Sequence, residues 1–180
     1  TAAERRLAQA KMNAEAAKLG VKPASLGFPE AAALPVAAPT AFRALEALGV
    51  RSGETLVVHG AAGGVGLLAV QFAVSRGRRV VGTASQANHE HLRRLGAVPV
   101  SYGPGVVERV REAAPDGVDA AFDTTGLAES LAASVELTGG KERVLTIGSP
   151  GTAGEYGVAF SSGAGPAGDR GVLAFAEALA

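Results

Sequence analysis

The chain has 180 residues, room for one domain with a hydrophobic core, and its 17 Lys and Arg balance 17 Asp and Glu. That balance leaves no net field to gather nucleic acid or an anionic membrane, and a hydrophobic content of 47% excludes general disorder. Cysteine is absent, which excludes disulfides, thiol nucleophiles and cysteine-ligated zinc or iron–sulfur clusters, and three histidines leave few ligands for any metal.

In residues 1–19, Leu7, Ala10, Ala14 and Ala17 recur at helical spacing and Gly20 stands where a C-terminal cap belongs. This predicts a helical arm or connector over 1–26, ahead of a domain over 27–180. The first residues are charged where a secretory signal is apolar, and no apolar run reaches the roughly 18–20 residues of a membrane span. A cytoplasmic protein is expected. Residues 21–40 carry four prolines and read as a connector, with a short amphipathic helix over 41–48.

From residue 54 an alternation begins. Apolar β-branched runs at 54–59, 79–84, 98–101, 118–123, 143–148 and 157–161 predict six strands. Helices are predicted over 65–76, 88–95, 105–114, 127–137 and 170–179, with a mobile Gly- and Ser-rich stretch over 148–168. Strands starting about every 20–25 residues with helices between them specify βαβ units and a doubly wound parallel α/β sheet, a Rossmann fold.

The segment His59-Gly60-Ala61-Ala62-Gly63-Gly64-Val65-Gly66 holds the strongest functional signal. It follows the first strand and opens a helix. Small residues let the backbone approach a diphosphate, and the helix start offers free N–H groups and the positive end of a dipole. Gly60, Ala62, Gly63, Gly64, Val65 and Gly66 are therefore candidate dinucleotide-binding residues. The second strand ends Gly82-Thr83-Ala84-Ser85-Gln86, with no carboxylate before Glu90. NAD sites usually place an acidic residue there for the ribose hydroxyls. Its absence favours NADP over NAD, with Ser85 a donor to the 2′-phosphate and Asn88 a cap on the next helix. His59, ending the first strand beside the loop, either touches the cofactor or, the plainer reading, is a strand-end histidine satisfied by its neighbours. Asp123 and the turn after it either border the nicotinamide ribose or are turn chemistry. Ile147 and Gly148, ending the fifth strand, lie on the same sheet edge.

The segments Pro29–Pro35, Pro39–Leu45, Gly53–Gly66, Leu95-Gly96-Ala97 and Gly117-Val118-Asp119 together make the chain resemble the zinc-free, quinone-oxidoreductase-like branch of the medium-chain dehydrogenase/reductase superfamily. The resemblance implies NADPH as cofactor and hydride transfer to a quinone or enone. It matches Tyr102 to a tyrosine near the 2′-phosphate, though a loop aromatic covering the sheet edge is an equal reading. It matches Thr40 to a threonine near the nicotinamide, though a helix cap is the plainer one. It further implies a homodimer joined through the strand near 157–161. No general acid and no metal site is assigned. The β-rich substrate domain of that family has no counterpart in residues 1–26. The alternative expectation is thus a non-catalytic dinucleotide-binding or assembly module.

Overall fold

The structure, a computed structural model, describes residues 27–162. The expected arm over 1–26 and the final helix over 170–179 lie outside the described residues. Chain order is α1 (Phe28–Leu48), β1 (Thr55–His59), α2 (Gly64–Ser75), β2 (Arg79–Thr83), a 3₁₀ turn (Gln86–Asn88) and α3 (His89–Arg94). Then come β3 (Val98–Val100), α4 (Val106–Ala113), β4 (Ala120–Asp123), α5 (Ala128–Thr138), β5 (Val144–Thr146), α6 (Pro150–Tyr156) and β6 (Ala159–Phe160).

Six strands form one parallel sheet in the order β3-β2-β1-β4-β5-β6. Alternation along the strands sorts the core into two layers. Leu56, Val58, Phe122 and Leu145 face α1, α2 and Leu92 of α3. Val57, Val81, Ala121 and Val144 face Val110 of α4, Leu131 of α5 and Ala153 of α6. The sheet is covered on both sides, so its strands read as continuous apolar runs. The chain winds one way from β1 through β3 and the other way from β4 through β6. The order therefore switches between β1 and β4, and a crevice opens at their carboxyl ends.

The doubly wound sheet is as expected, but two elements are not. Residues 28–48 form one helix of 21 residues, not a connector followed by a short helix, and it runs through Pro35 and Pro39. Each proline removes one backbone donor and costs the helix about 3 kcal/mol in isolation. Packing outweighs this, because Leu34, Ala38, Ala41, Leu45 and Leu48 keep a 3–4 spacing across both prolines and are all buried. Small alanines bring α1 close to α2, and Phe42 meets Phe72 edge-on at 6.1 Å. The second difference is α6, inside the stretch expected to be mobile. Pro150 opens it, the Ser149 hydroxyl accepts from the Thr152 amide at 3.2 Å, and Gly157 closes it at φ +65°. The sixth strand is correspondingly short, Ala159–Phe160. Among the described residues, no helix is long and apolar enough to cross a membrane.

Candidate functional site

At the end of β1 the chain turns at Gly60, whose φ of +73° only glycine adopts readily. The turn is tied to both neighbouring strands. The Gly60 amide donates to Thr83 Oγ1 at 3.2 Å, the Ala61 amide to the Thr83 carbonyl at 3.0 Å, and the Thr124 hydroxyl to the His59 carbonyl at 2.8 Å. The Gly63 amide closes the loop onto the Gly60 carbonyl at 3.0 Å, and Gly63 then caps α2 without a side chain. The first amides of this 12-residue helix consequently face outward with no side-chain acceptor, at the positive end of its dipole.

The glycines here do different work. A Cβ on Gly66 would overlap the Gly60 carbonyl oxygen and approach the Ala61 Cα to 2.9 Å, so glycine is what lets α2 pack onto the loop. A Cβ on Gly64 would meet nothing within 4 Å. The fold makes no steric demand for glycine at 64.

Next to the loop, a cavity of about 420 Å³ opens between the carboxyl ends of β1 to β4. That size is typical of a small-molecule site, roughly 300–1,000 Å³. Of the residues singled out from sequence, Gly60, Ala62, Gly63, Ser85, Asn88 and Tyr102 line it together. Gly64, Val65 and Gly66 continue from Gly63 as the first turn of α2. Thr40, Ile147 and Gly148 do not line it. Thr40 sits inside α1 and so does not cap a helix. Ile147 packs on the core, and its amide bonds the Asp123 carbonyl at 3.1 Å. Gly148 lies against the Gly126 backbone so closely that a Cβ would overlap the Gly126 amide nitrogen. Asn88 does not cap α3 with its side chain; its Nδ2 donates to Ser85 Oγ at 3.0 Å and holds that hydroxyl at the cavity rim.

Register places Thr83, His59, Asp123 and Thr146 side by side at the ends of four strands, all buried, and the first two line the cavity. Asp123 accepts from the Thr125 amide and hydroxyl (3.1 and 2.6 Å), the Ser130 hydroxyl (2.8 Å), the Gly126 amide (2.8 Å) and the Thr146 hydroxyl (2.6 Å). Burial by itself would raise its pKa. The hydroxyls of Thr125, Thr146 and Ser130 and the Gly126 amide outweigh that, and the carboxyl stays below its ordinary value. These bonds fill both carboxylate oxygens and commit Asp123 to holding its turn, while Thr125 of the same turn lines the cavity.

His59 departs from the plainer of its two expectations. Its Nδ1 lies 3.4 Å from Thr83 Oγ1, but its Nε2 has no partner although the side chain is 2% exposed. Burial pushes its pKa down to about 4, against the opposing pull of the Asp123 charge, so the ring is neutral. The Thr83 hydroxyl, which also accepts from the Gly60 amide, faces Nδ1, and either the hydroxyl or the ring can supply the proton between them. A buried polar nitrogen without a partner is costly, and this one lies on a residue lining the cavity. The sequence placed the turn holding Thr125 at this edge but gave no signal for Leu127, Glu129 and Ser130, which with Thr125 wall the cavity from the β4–α5 side.

Residues 64–163 match the family described as zinc-binding dehydrogenase. The chain is 40% identical over 131 residues to a 2-methylene-furan-3-one reductase of Solanum lycopersicum, a stretch covering 71% of this chain and 32% of the relative. It is 36% identical over 131 residues to the chloroplastic NADPH-dependent alkenal/one oxidoreductase of Arabidopsis thaliana, covering 71% of this chain and 33% of the relative. Among solved structures, a mycobacterial protein in complex with NADPH superimposes with a TM-score of 0.65 at 27% identity, over 88% of this chain and 54% of that one. The chain thus spans about a third of the length of these two curated relatives and about half of that solved chain.

Proposed function

The chain belongs to the zinc-binding dehydrogenase family, and from that premise we propose that it holds NADPH for reduction of an activated double bond, an enone or a quinone. The family's description names zinc, but the residues present do not fit that metal. The sequence has no cysteine, and among the described residues no group of three or more His, Asp or Glu could hold an ion. No step is therefore routed through a metal.

One observation carries the reading: an unobstructed glycine loop and helix start beside a cavity whose rim, at the end of β2, offers a hydroxyl and an amide but no carboxylate. The amides of Gly64, Val65 and Gly66 would take the diphosphate, with Gly63, its own amide bonded to the Gly60 carbonyl, lining the approach. Ser85, braced by Asn88, and Tyr102 would take the adenosine 2′-phosphate. The unpaired His59 Nε2 would hydrogen-bond the nucleotide from the cavity floor. Ile147, Gly148 and Thr40 fall to the nicotinamide half. What NADPH supplies when bound is a hydride for the electron-poor carbon of the substrate. This chain contributes position, holding the donor in a fixed orientation, and no side chain among the described residues is assigned as general acid. The names of the two plant relatives support the substrate class, and the mycobacterial complex supports the cofactor. The reading extends to a cytoplasmic homodimer joined through the exposed edge strand β6, where Phe160 remains 38% exposed. Light scattering at tens of micromolar reads that directly, and a monomer contradicts it.

Titration of the chain with NADPH and NADH tests the proposal. NADPH fluorescence is expected to change, and the melting temperature to rise, with tighter binding of NADPH than of NADH. Saturation at 100 times Kd stabilises the fold by about 2.7 kcal/mol. No response to NADPH at high micromolar concentration rejects the proposal. Binding without turnover of any quinone or enone supports the alternative, a non-catalytic dinucleotide-binding module.

A further inference from the structure

Arg109 is spent in an unusual way. Arg76, Arg79, Arg111 and Arg143 each reach a carboxylate, the ordinary use of a part-exposed arginine. Arg109 instead donates to four successive backbone carbonyls. Its Nε reaches Ser101 at 2.9 Å, its Nη2 reaches Tyr102 at 3.2 Å and Gly103 at 3.1 Å, and its Nη1 reaches Pro104 at 2.9 Å. These four residues form the turn from β3 into α4. Gly103 and Gly105 take it through left-handed conformations at φ +85° and +76°. A Cβ on Gly105 would stand 3.1 Å from Arg109 Nη1, so the glycine also makes room for the guanidinium. The flat fork, with donors fixed along three edges, suits such a ring of carbonyls; an ammonium presents all its protons from one point.

The turn that Arg109 fastens is part of the cavity wall. Tyr102 and Gly103 line it, on the rim with Ser85 and Asn88, yet Tyr102 is 62% exposed and has little packing of its own to hold it there. A turn with two glycines samples many conformations unless something fixes it, and ordering it on binding would oppose affinity. We propose that Arg109 is a positioning residue for recognition of the adenosine 2′-phosphate, acting through the backbone of residues 101–104 to present Tyr102 at the rim. The inference rests on the NADPH reading above and extends it to a residue outside the cavity lining.

Two probes separate the 2′-phosphate from the rest of the nucleotide: 2′,5′-ADP and 5′-ADP. Both are titrated calorimetrically into the full chain and into Arg109→Met, Tyr102→Phe and the double variant. Arg109→Met is expected to weaken 2′,5′-ADP about tenfold while changing 5′-ADP by no more than about twofold. The double variant is expected to be no weaker than the weaker single one, because the arginine works through the tyrosine. Arg109→Lys, which meets only part of the carbonyl ring, is expected to lose less than Arg109→Met. It also carries the test should the methionine variant fail to fold. Equal losses for both probes, multiplicative losses in the double variant, or a lysine variant as weak as methionine overturn the inference and leave the NADPH reading standing. A parent chain that binds neither probe overturns both.

Discussion

Gly64 and Gly66 stand two residues apart in one loop, and the structure requires opposite outcomes from the same substitution. In Gly66→Ala the new methyl overlaps the Gly60 carbonyl oxygen and comes within 2.9 Å of the Gly60 carbonyl carbon and the Ala61 Cα. All three are backbone atoms, so no flexible side chain can yield. Overpacking of this kind costs about 3 kcal/mol, and the better helix propensity of alanine returns up to about 1 kcal/mol. The net loss of about 2 kcal/mol lowers the melting temperature by about 4–8 °C in a domain of this size. In Gly64→Ala the methyl enters open space, so stability is unchanged or rises by up to about 1 kcal/mol. That open space is where the proposed diphosphate must approach. Displacing even one charge-assisted bond costs about 1.5–3 kcal/mol, so NADPH affinity falls at least about tenfold. Thermal unfolding followed by circular dichroism, paired with NADPH fluorescence titration, reads both quantities. A Gly64→Ala chain as stable as the parent that still binds NADPH with parental affinity refutes the reasoning, as does a Gly66→Ala chain that melts with the parent.

Ser85→Asp puts a carboxylate at the end of β2, facing the proposed 2′-phosphate. NADPH affinity is expected to fall at least about tenfold with NADH affinity little changed, and parallel losses for the two cofactors would show that Ser85 is not at the phosphate. The His59 pKa, 6.5 when unfolded and about 4 when folded, makes folding lose protons. Stability is therefore full above pH 6.5 and declines as pH falls towards 4, by about 3 kcal/mol in total. Urea unfolding across that window should show the decline in the parent and not in His59→Leu; an unchanged slope in the variant contradicts it. The depressed carboxyls act lower. Stability from Asp123, and from Glu54 held at about 2 by Arg143 and the Arg51 amide, is present above their unfolded values near pH 4 and is lost as pH falls through the folded ones. Asp123→Asn turns an amide nitrogen towards a donor and should cost about 3 kcal/mol at pH 7. A variant within about 0.5 kcal/mol of the parent would mean the five bonds to Asp123 do not hold in solution.

The sheet was readable because both of its faces are covered. Runs such as Leu56-Val57-Val58 and Ala120-Ala121-Phe122 need no alternation when each side meets a helix, and the glycine loop marks its own place after β1. The helix through Pro35 and Pro39 was not read, because local proline rules argue against it and only burial against α2 overrides them. Its signal was nonetheless present in the spacing of Leu34, Ala38, Ala41, Leu45 and Leu48. The cavity was half legible. Its loop and rim, Gly60 to Gly63 and Ser85, come from contiguous motifs. The unpaired His59 Nε2 and the wall of Thr125, Leu127 and Ser130 depend on β4 lying beside β1, which is a property of strand order. In the sequence Arg109 is one of several charges in the 105–114 helix, and no spacing rule reports that four carbonyls of the preceding turn point at it.

Amide chemical shifts of ¹⁵N-labelled chain during NADPH addition bear most directly on where the diphosphate sits. The account predicts that the largest changes fall on Gly64, Val65 and Gly66, with smaller ones at Ser85 and Tyr102. Saturable binding that leaves those three amides in place and moves a different part of the sheet edge would contradict it.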